Sequence, residues 1–273
     1  MPFSQRPDNA GTLEGVNRVA WRALSTVLPQ GGGSDGSARK PLETYLDQMM
    51  EASLHAAPLR LGEVVKNMRR ARISGLQIAE SYVPIVARRL GDAWLADTLD
   101  FSAVTIGAAR LQGLLRRLGS DWDHPRGADV ESPPAYLVGV PEGVQHTLGA
   151  MVLAGQLRHR GLSVHLDLEM TLESLARQVR NERYSGVMIS TSSLDSLESC
   201  RRLVACSKNE SRGTPVIIGG IVLHVDKDIM SHTRADILTS DIYEALHFCD
   251  MCAATEGAGA AGPCDYIDRR AAE

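Results

Sequence analysis

The stretch Ala135–Val164, AYLVGVPEGVQHTLGAMVLAGQLRHRGLSV, constrains the fold more than any other part of the chain. An apolar run, Ala135–Val140, breaks at Pro141-Glu142-Gly143. A helical pattern follows with Leu148, Met151, Val152 and Leu157 on one face, and Arg158–Gly161 end it before a second apolar run. Two apolar strands joined by a helix form the opening βαβ unit of an α/β domain, because parallel neighbours need a crossover that covers the sheet. The alternation repeats downstream. Strands are predicted at Tyr136–Val140, Ser163–Leu168, Gly186–Ser190, Pro215–Ile218 and Ala235–Leu238. Helices are predicted at Val144–Arg158, Leu172–Glu182, Leu194–Lys208, Asp226–Met230 and Ile242–Ala253. Right-handed crossovers arrange these strands as a doubly wound, five-stranded parallel sheet of flavodoxin-like order.

Upstream the pattern is helical. A bundle of four helices is expected over residues 40–120: one from Pro41 with Leu42, Tyr45, Leu46 and Met49 as its stripe, a second near Leu61–Ile73, a third from Ser74 or Gly75 to Ala93 with Pro84 as a kink, and a fourth from Phe101 to Leu118. Residues 1–39, which end in GGGSDGSARK, read as a flexible segment, although Leu13–Leu28 could form a short amphipathic helix. Residues 121–134 read as a polar linker in which His124 is solvent-exposed, residues 135–254 as the Rossmann-like domain, and residues 255–273 as a disordered tail. The fold class is thus α/β, a helical bundle cap followed by the doubly wound sheet.

A length of 273 residues suits two such domains. The formal net charge of −4 leaves no overall basic footprint for nucleic acid, and the clusters Arg69–Arg70–Arg72 and Arg116–Arg117 read as solvated helix faces. No apolar run reaches transmembrane length and the first residues lack a basic-then-apolar leader, so a cytoplasmic protein without a membrane partner is expected. The five cysteines have no disulfide-framework spacing, and Cys249-x-x-Cys252, with no second pair, reads as two small helix residues.

Chemistry gathers where the loops leave the carboxyl ends of the strands, the rim at which open parallel sheets bind ligands. The first loop delivers His146 at the start of a helix, whose N-terminus disfavours imidazolium and leaves a lone pair for a metal. Gly149 and Gly155 on that helix leave a gap against the sheet. The loop after strand three offers Ser190, Thr191 and Ser192, the loop after strand four runs from Gly219-Gly220 to His224, and the loop after strand five carries Thr239. Each also has a plainer reading as a turn, a helix cap or tight packing. Trp94, at the end of the third bundle helix, is either a core anchor or a functional side chain.

His146-x-x-Gly149, Ser190 with Ser192, and Gly219-Gly220 match in order and spacing the pattern of cobalamin-binding domains, and the bundle resembles the cap over the upper corrin face. Trp94 followed by Asp100-Phe101-x-x-Val104-Thr105 and Arg110-Leu111-Gln112 resembles the PpaA/AerR family of photosynthesis-gene regulators. The resemblance spans residues 41–253. It implies hydroxo- or adenosylcobalamin as cofactor, His146 as the cobalt ligand from below, Ser190 and Ser192 on the nucleotide tail, and Gly219 and Gly220 along its path, with Thr239 beside them. Trp94 would shield the upper face. The implied function is that of a light- or redox-responsive antirepressor, not an enzyme. Its partner would be a transcriptional repressor of photosynthesis genes, with DNA reached only indirectly if at all.

Two positions depart from related patterns. The carboxylate often found two residues before the histidine is Val144, with Glu142 and Gln145 as substitutes, and the Glu-His pair of cobalamin-dependent light sensors is Val104-Thr105. Two alternatives remain at this point: a haem-binding redox sensor on the same fold, and the corrinoid protein of a methyltransferase or mutase system.

Overall fold

Along β1 (Ala135–Pro141), Tyr136, Val138 and Val140 point to one side and Leu137 to the other, and all four are buried. A strand buried on both faces belongs in the middle of a covered parallel sheet, and β1 pairs with β2 (Ser163–Met170) on one side and β3 (Gly186–Ser190) on the other. With β4 (Val216–Gly219) and β5 (Ile237–Leu238) the order is β2-β1-β3-β4-β5, all parallel. This is the flavodoxin-like order, and it puts the switch of winding direction between β1 and β3. The computed structural model describes residues 40–57, 59–122, 133–191, 196–211, 213–220 and 229–258. The expected helix at Leu13–Leu28, residues 226–228 of the expected helix Asp226–Met230, and His124, Ser192 and His224 lie outside them.

The bundle consists of α1 (Glu43–Leu54), α2 (Leu59–Arg70), α3 over residues 75–95, and α4 (Phe101–Trp122). The third is composite: Gly75–Gln77, a π-helical stretch Ile78–Tyr82, and Val83–Leu95. Ser74 starts it with a capping box, its hydroxyl accepting Gln77 N–H at 3.1 Å while Gln77 Oε1 accepts Ser74 N–H at 3.1 Å. Pro84 stands in the first turn of the segment Val83–Leu95. The backbone widens just before it, where Val83 N–H donates to Ile78 O, and so accommodates a residue that can neither donate nor lie close to the preceding turn.

One sheet face is covered by α6 (Leu172–Asn181), α7 (Leu197–Glu210) and α8 (Ile229–Thr233), the other by α5 (Leu148–His159) and α9 (Ile242–Ala258). The bundle's core, with Trp94, Leu111 and Leu115, continues onto the α/β part through Leu148, Met151 and Val152 of α5 and Leu166 and Leu168 of β2. Hence the cap rests on the opening βαβ unit.

Several boundaries differ from the sequence expectation. α4 runs to Trp122, into the expected linker, α9 continues to Ala258, and β2 extends to Met170. The largest shift is at α5, which begins at Leu148 and not at Val144.

Candidate functional site

Gly143, at φ +82°, turns the chain out of β1 in a conformation that side-chain-bearing residues avoid. Val144 N–H then donates to Pro141 O at 3.1 Å and Thr147 N–H to Gln145 O at 3.1 Å, so a tight turn closes across His146 and delays the helix by four residues. His146 therefore sits in the loop ahead of α5, half-buried. Its pKa is pushed below the usual 6.5, and burial is the cause. Gly149, a turn further on, is exposed, and a Cβ there would meet nothing within 4 Å, whereas Gly155 is buried.

Thr147 is the N-cap residue of α5, yet its side chain makes no cap to the helix. Instead its Oγ1 accepts a hydrogen bond from Gln112 Nε2 of α4 at 3.1 Å. The longest helix of the bundle thus grips the residue next to His146. At the start of the same helix Phe101, half-exposed, meets the ring of Trp94 with centroids 6.3 Å apart. Eleven residues separate Phe101 and Gln112. That is close to three full turns, so both lie on one face of α4, about 16 Å apart. Thr105, exposed, and Ala108, half-buried, lie between them on that face. Trp94 itself is 5% exposed, part of the bundle core.

The ends of β3, β4 and β5 converge. Ser190 is half-buried at the end of β3, and Thr191, buried, donates its N–H to Gly219 O at 3.0 Å and hydrogen-bonds through its hydroxyl to Ser196. A Cβ on Gly220, whose φ is +104°, would lie 2.3 Å from Thr191 O, and one on Gly219 would lie 2.9 Å from Thr239 O. The space these glycines leave is taken by neighbouring backbone, where the sequence suggested approach by a ligand. Thr239 is buried, its hydroxyl donating to Glu244 Oε2 at 2.5 Å and accepting Asp241 N–H at 3.0 Å. Gly219, Gly220 and Thr239 accordingly form one packed corner, with Ser190 at its edge. His146 stands on the neighbouring loop and Gly149 in the first turn of α5. Sequence reading missed Ser196 and Glu244, whose partners are set by packing, and met Gln112 only as part of a motif.

The described thiols have a different character. Burial pushes Cys200 up to about 11 and Cys249 up to about 12, and Cys249 Sγ fills the space above Gly186. They are packing groups, protonated at neutral pH.

These residues fit a corrinoid. A cobalt corrinoid would call for a nitrogen ligand from the protein, and His146, whose pKa burial holds below the usual 6.5, comes three residues before a glycine with open space over it. Residues 134–239 match the B12 binding domain family. The chain is also similar to the monomethylamine corrinoid protein of Methanosarcina barkeri, with a TM-score of 0.59 and 17% identity over 74% of this chain and 95% of that one, a likeness of fold. The chain therefore carries a cobalamin-binding α/β domain preceded by a helical part.

Its particular relationship is narrower. It is 34% identical over 175 residues to the "Uncharacterized 20.5 kDa protein in bchF-crtJ intergenic region" of Rhodobacter capsulatus, over 64% of this chain and 91% of that protein. The chain belongs to the same family as that protein. Among the described residues no helix is long and apolar enough to cross a membrane.

Proposed function

We propose that this protein is a cytoplasmic cobalamin-binding regulator, responsive to light, redox state or both, that acts as an antirepressor by contacting a transcriptional repressor of photosynthesis genes. It is not an enzyme, and DNA is reached only through that partner. The reading rests on the sequence resemblance, the B12 binding domain and the relative encoded between bchF and crtJ. The observation that carries it is the placement of His146, half-buried and held neutral in the loop that α4 grips through Thr147.

In this reading His146 lends its ring lone pair to cobalt. Ser190 and Ser192 hydrogen-bond the nucleotide tail, Gly149 leaves it room, and Gly219, Gly220 and Thr239 border its path. Trp94 and Phe101, whose rings meet at the start of α4, would shield the cofactor from water. Bound hydroxo- or adenosylcobalamin supplies an exchangeable upper ligand, in the alkyl form through a photolabile cobalt–carbon bond. Because the loop and the bundle share the Gln112–Thr147 bond and an apolar layer, a state that changes one changes the fit of the other, as any population shift requires.

The test is an absorption spectrum of protein incubated in the dark with adenosyl- or hydroxocobalamin, before and after illumination, together with H146A. Retained corrin bands that change on illumination, with weakened binding in H146A, support the reading. A haem Soret band would favour the haem sensor, and consumption of a methyl donor would favour the corrinoid protein of a methyltransferase. Unchanged affinity and spectrum in H146A would remove the histidine from the site.

A further inference from the structure

We infer that Gln112 is a positioning residue for His146, acting through Thr147, and that the bundle thereby helps set whether the imidazole is presented to cobalt. The inference rests on the reading of His146 as the cobalt ligand. It starts from a local anomaly. A threonine at an N-cap ordinarily turns its hydroxyl onto the N–H groups of the first helical turn, a contact commonly worth about 1 kcal/mol. Thr147 forgoes it, and its oxygen accepts Gln112 Nε2–H at 3.1 Å, across 35 residues of sequence.

The partner is firmly placed. Gln112 follows Leu111, which is fully buried in the bundle core, and two residues before it Arg110 donates to Ser53 O at 2.8 Å and to His55 O, tying α4 to the end of α1. The amide of Gln112 thus projects from a helix anchored on both sides. The recipient is a turn: Thr147 N–H donates to Gln145 O, and Thr147 O accepts Met151 N–H at the start of α5. His146 occupies the middle of that turn. Rotating the turn to bring the imidazole towards or away from a metal moves Thr147, and moving Thr147 strains or breaks its bond to Gln112. The apolar contact runs parallel, since Leu148, Met151 and Val152 pack into the same cluster as Leu111. The bond gives direction to a contact that apolar packing alone would leave free to slide.

The test uses the full chain, its histidine rings labelled with the heavy nitrogen isotope, loaded with hydroxocobalamin and reduced to the paramagnetic cobalt(II) form. Electron paramagnetic resonance then distinguishes an axial nitrogen from labelled histidine from the unlabelled base of the cofactor. The wild type shows coupling to labelled nitrogen and H146A does not. Q112L, which keeps the side chain's bulk and loses the donor, lowers the histidine-bound fraction and weakens binding about tenfold, the low end of the effect of losing an outer partner of a metal ligand. T147V removes the same bond from the other side and gives the same loss, and the double variant is no worse than either single one because both delete one interaction. Q112E restores the signal, since Thr147 Oγ1–H can donate to a carboxylate. Full histidine coupling and unchanged affinity in both Q112L and T147V would overturn the positioning role and leave His146 as ligand. Absence of labelled coupling in the wild type would overturn the ligand reading and this inference with it.

Discussion

The substitution G220A isolates how the rim is built. Gly220 has φ +104°, and an added Cβ would lie 2.3 Å from Thr191 O and 3.1 Å from Thr191 N, where contacts under 3.0 Å are essentially never tolerated. Thr191 has little room to retreat, because its N–H is bonded to Gly219 O at 3.0 Å and its hydroxyl to Ser196. Forcing alanine into this backbone region costs about 1–3 kcal/mol. Displacing buried neighbours costs about a further 1–3 kcal/mol. We expect G220A to destabilise the cofactor-free protein by about 3 kcal/mol, which lowers the thermal midpoint by about 6–12 °C for a chain of this size. G219A is the milder comparison: its Cβ would lie 2.9 Å from Thr239 O, so a backbone neighbour must shift there too, but the overlap is smaller and involves no positive φ, and its cost should be smaller than that of G220A. Circular dichroism melts of both variants without cofactor decide the matter. A G220A midpoint within about 2 °C of wild type, or a G219A melt lower than that of G220A, would refute the packing account.

Trp94 and His146 allow similar separations. W94A removes an indole that is 5% exposed from the bundle core and is expected to cost about 3–5 kcal/mol, while W94F keeps most of the packing. W94F should therefore keep the fold and alter the preference between hydroxo- and adenosylcobalamin, and an unchanged preference would assign Trp94 to packing alone. For His146, burial lowers the pKa below 6.5, so protons compete with cobalt only below that pH and affinity should be flat above it. The same depressed pKa means that the unfolded chain binds this proton more readily. Stability is thus present above about pH 6.5 and falls as acid is added, and H146N should flatten that part of the titration.

The sheet was legible because its signals are local. Ala135–Val140 and Gly186–Ser190 are apolar runs that are hard to place anywhere except a covered strand, and the observed β1 and β3 fall on them almost residue for residue. The start of α5 was not legible, since Val144–Thr147 continue the helical pattern and are kept from helix by Gly143 and by the turn across His146. Gly219-Gly220 illustrates a second limit. A pair of glycines announces a close approach, but only the register of β3, β4 and β5 reveals that the approaching groups are the backbones of Thr191 and Thr239. The Gln112–Thr147 bond joins the helical bundle to the loop after β1, and neither residue carries a local sign of the other.

The shared apolar layer puts a scale on what a change at the histidine could achieve. Leu148, Met151 and Val152 lie directly after Thr147 and pack with the bundle core, and Leu166 and Leu168 of β2 join that core to the sheet. Fully exposing one leucine, valine or methionine costs about 1.5–3 kcal/mol. Coupling free energies between distinct sites are typically about 1–3 kcal/mol. A shift of the His146 turn that loosened even one of these side chains would thus carry enough free energy to alter how the bundle sits. A change at the His146 turn therefore needs no rearrangement of the sheet to reach the bundle.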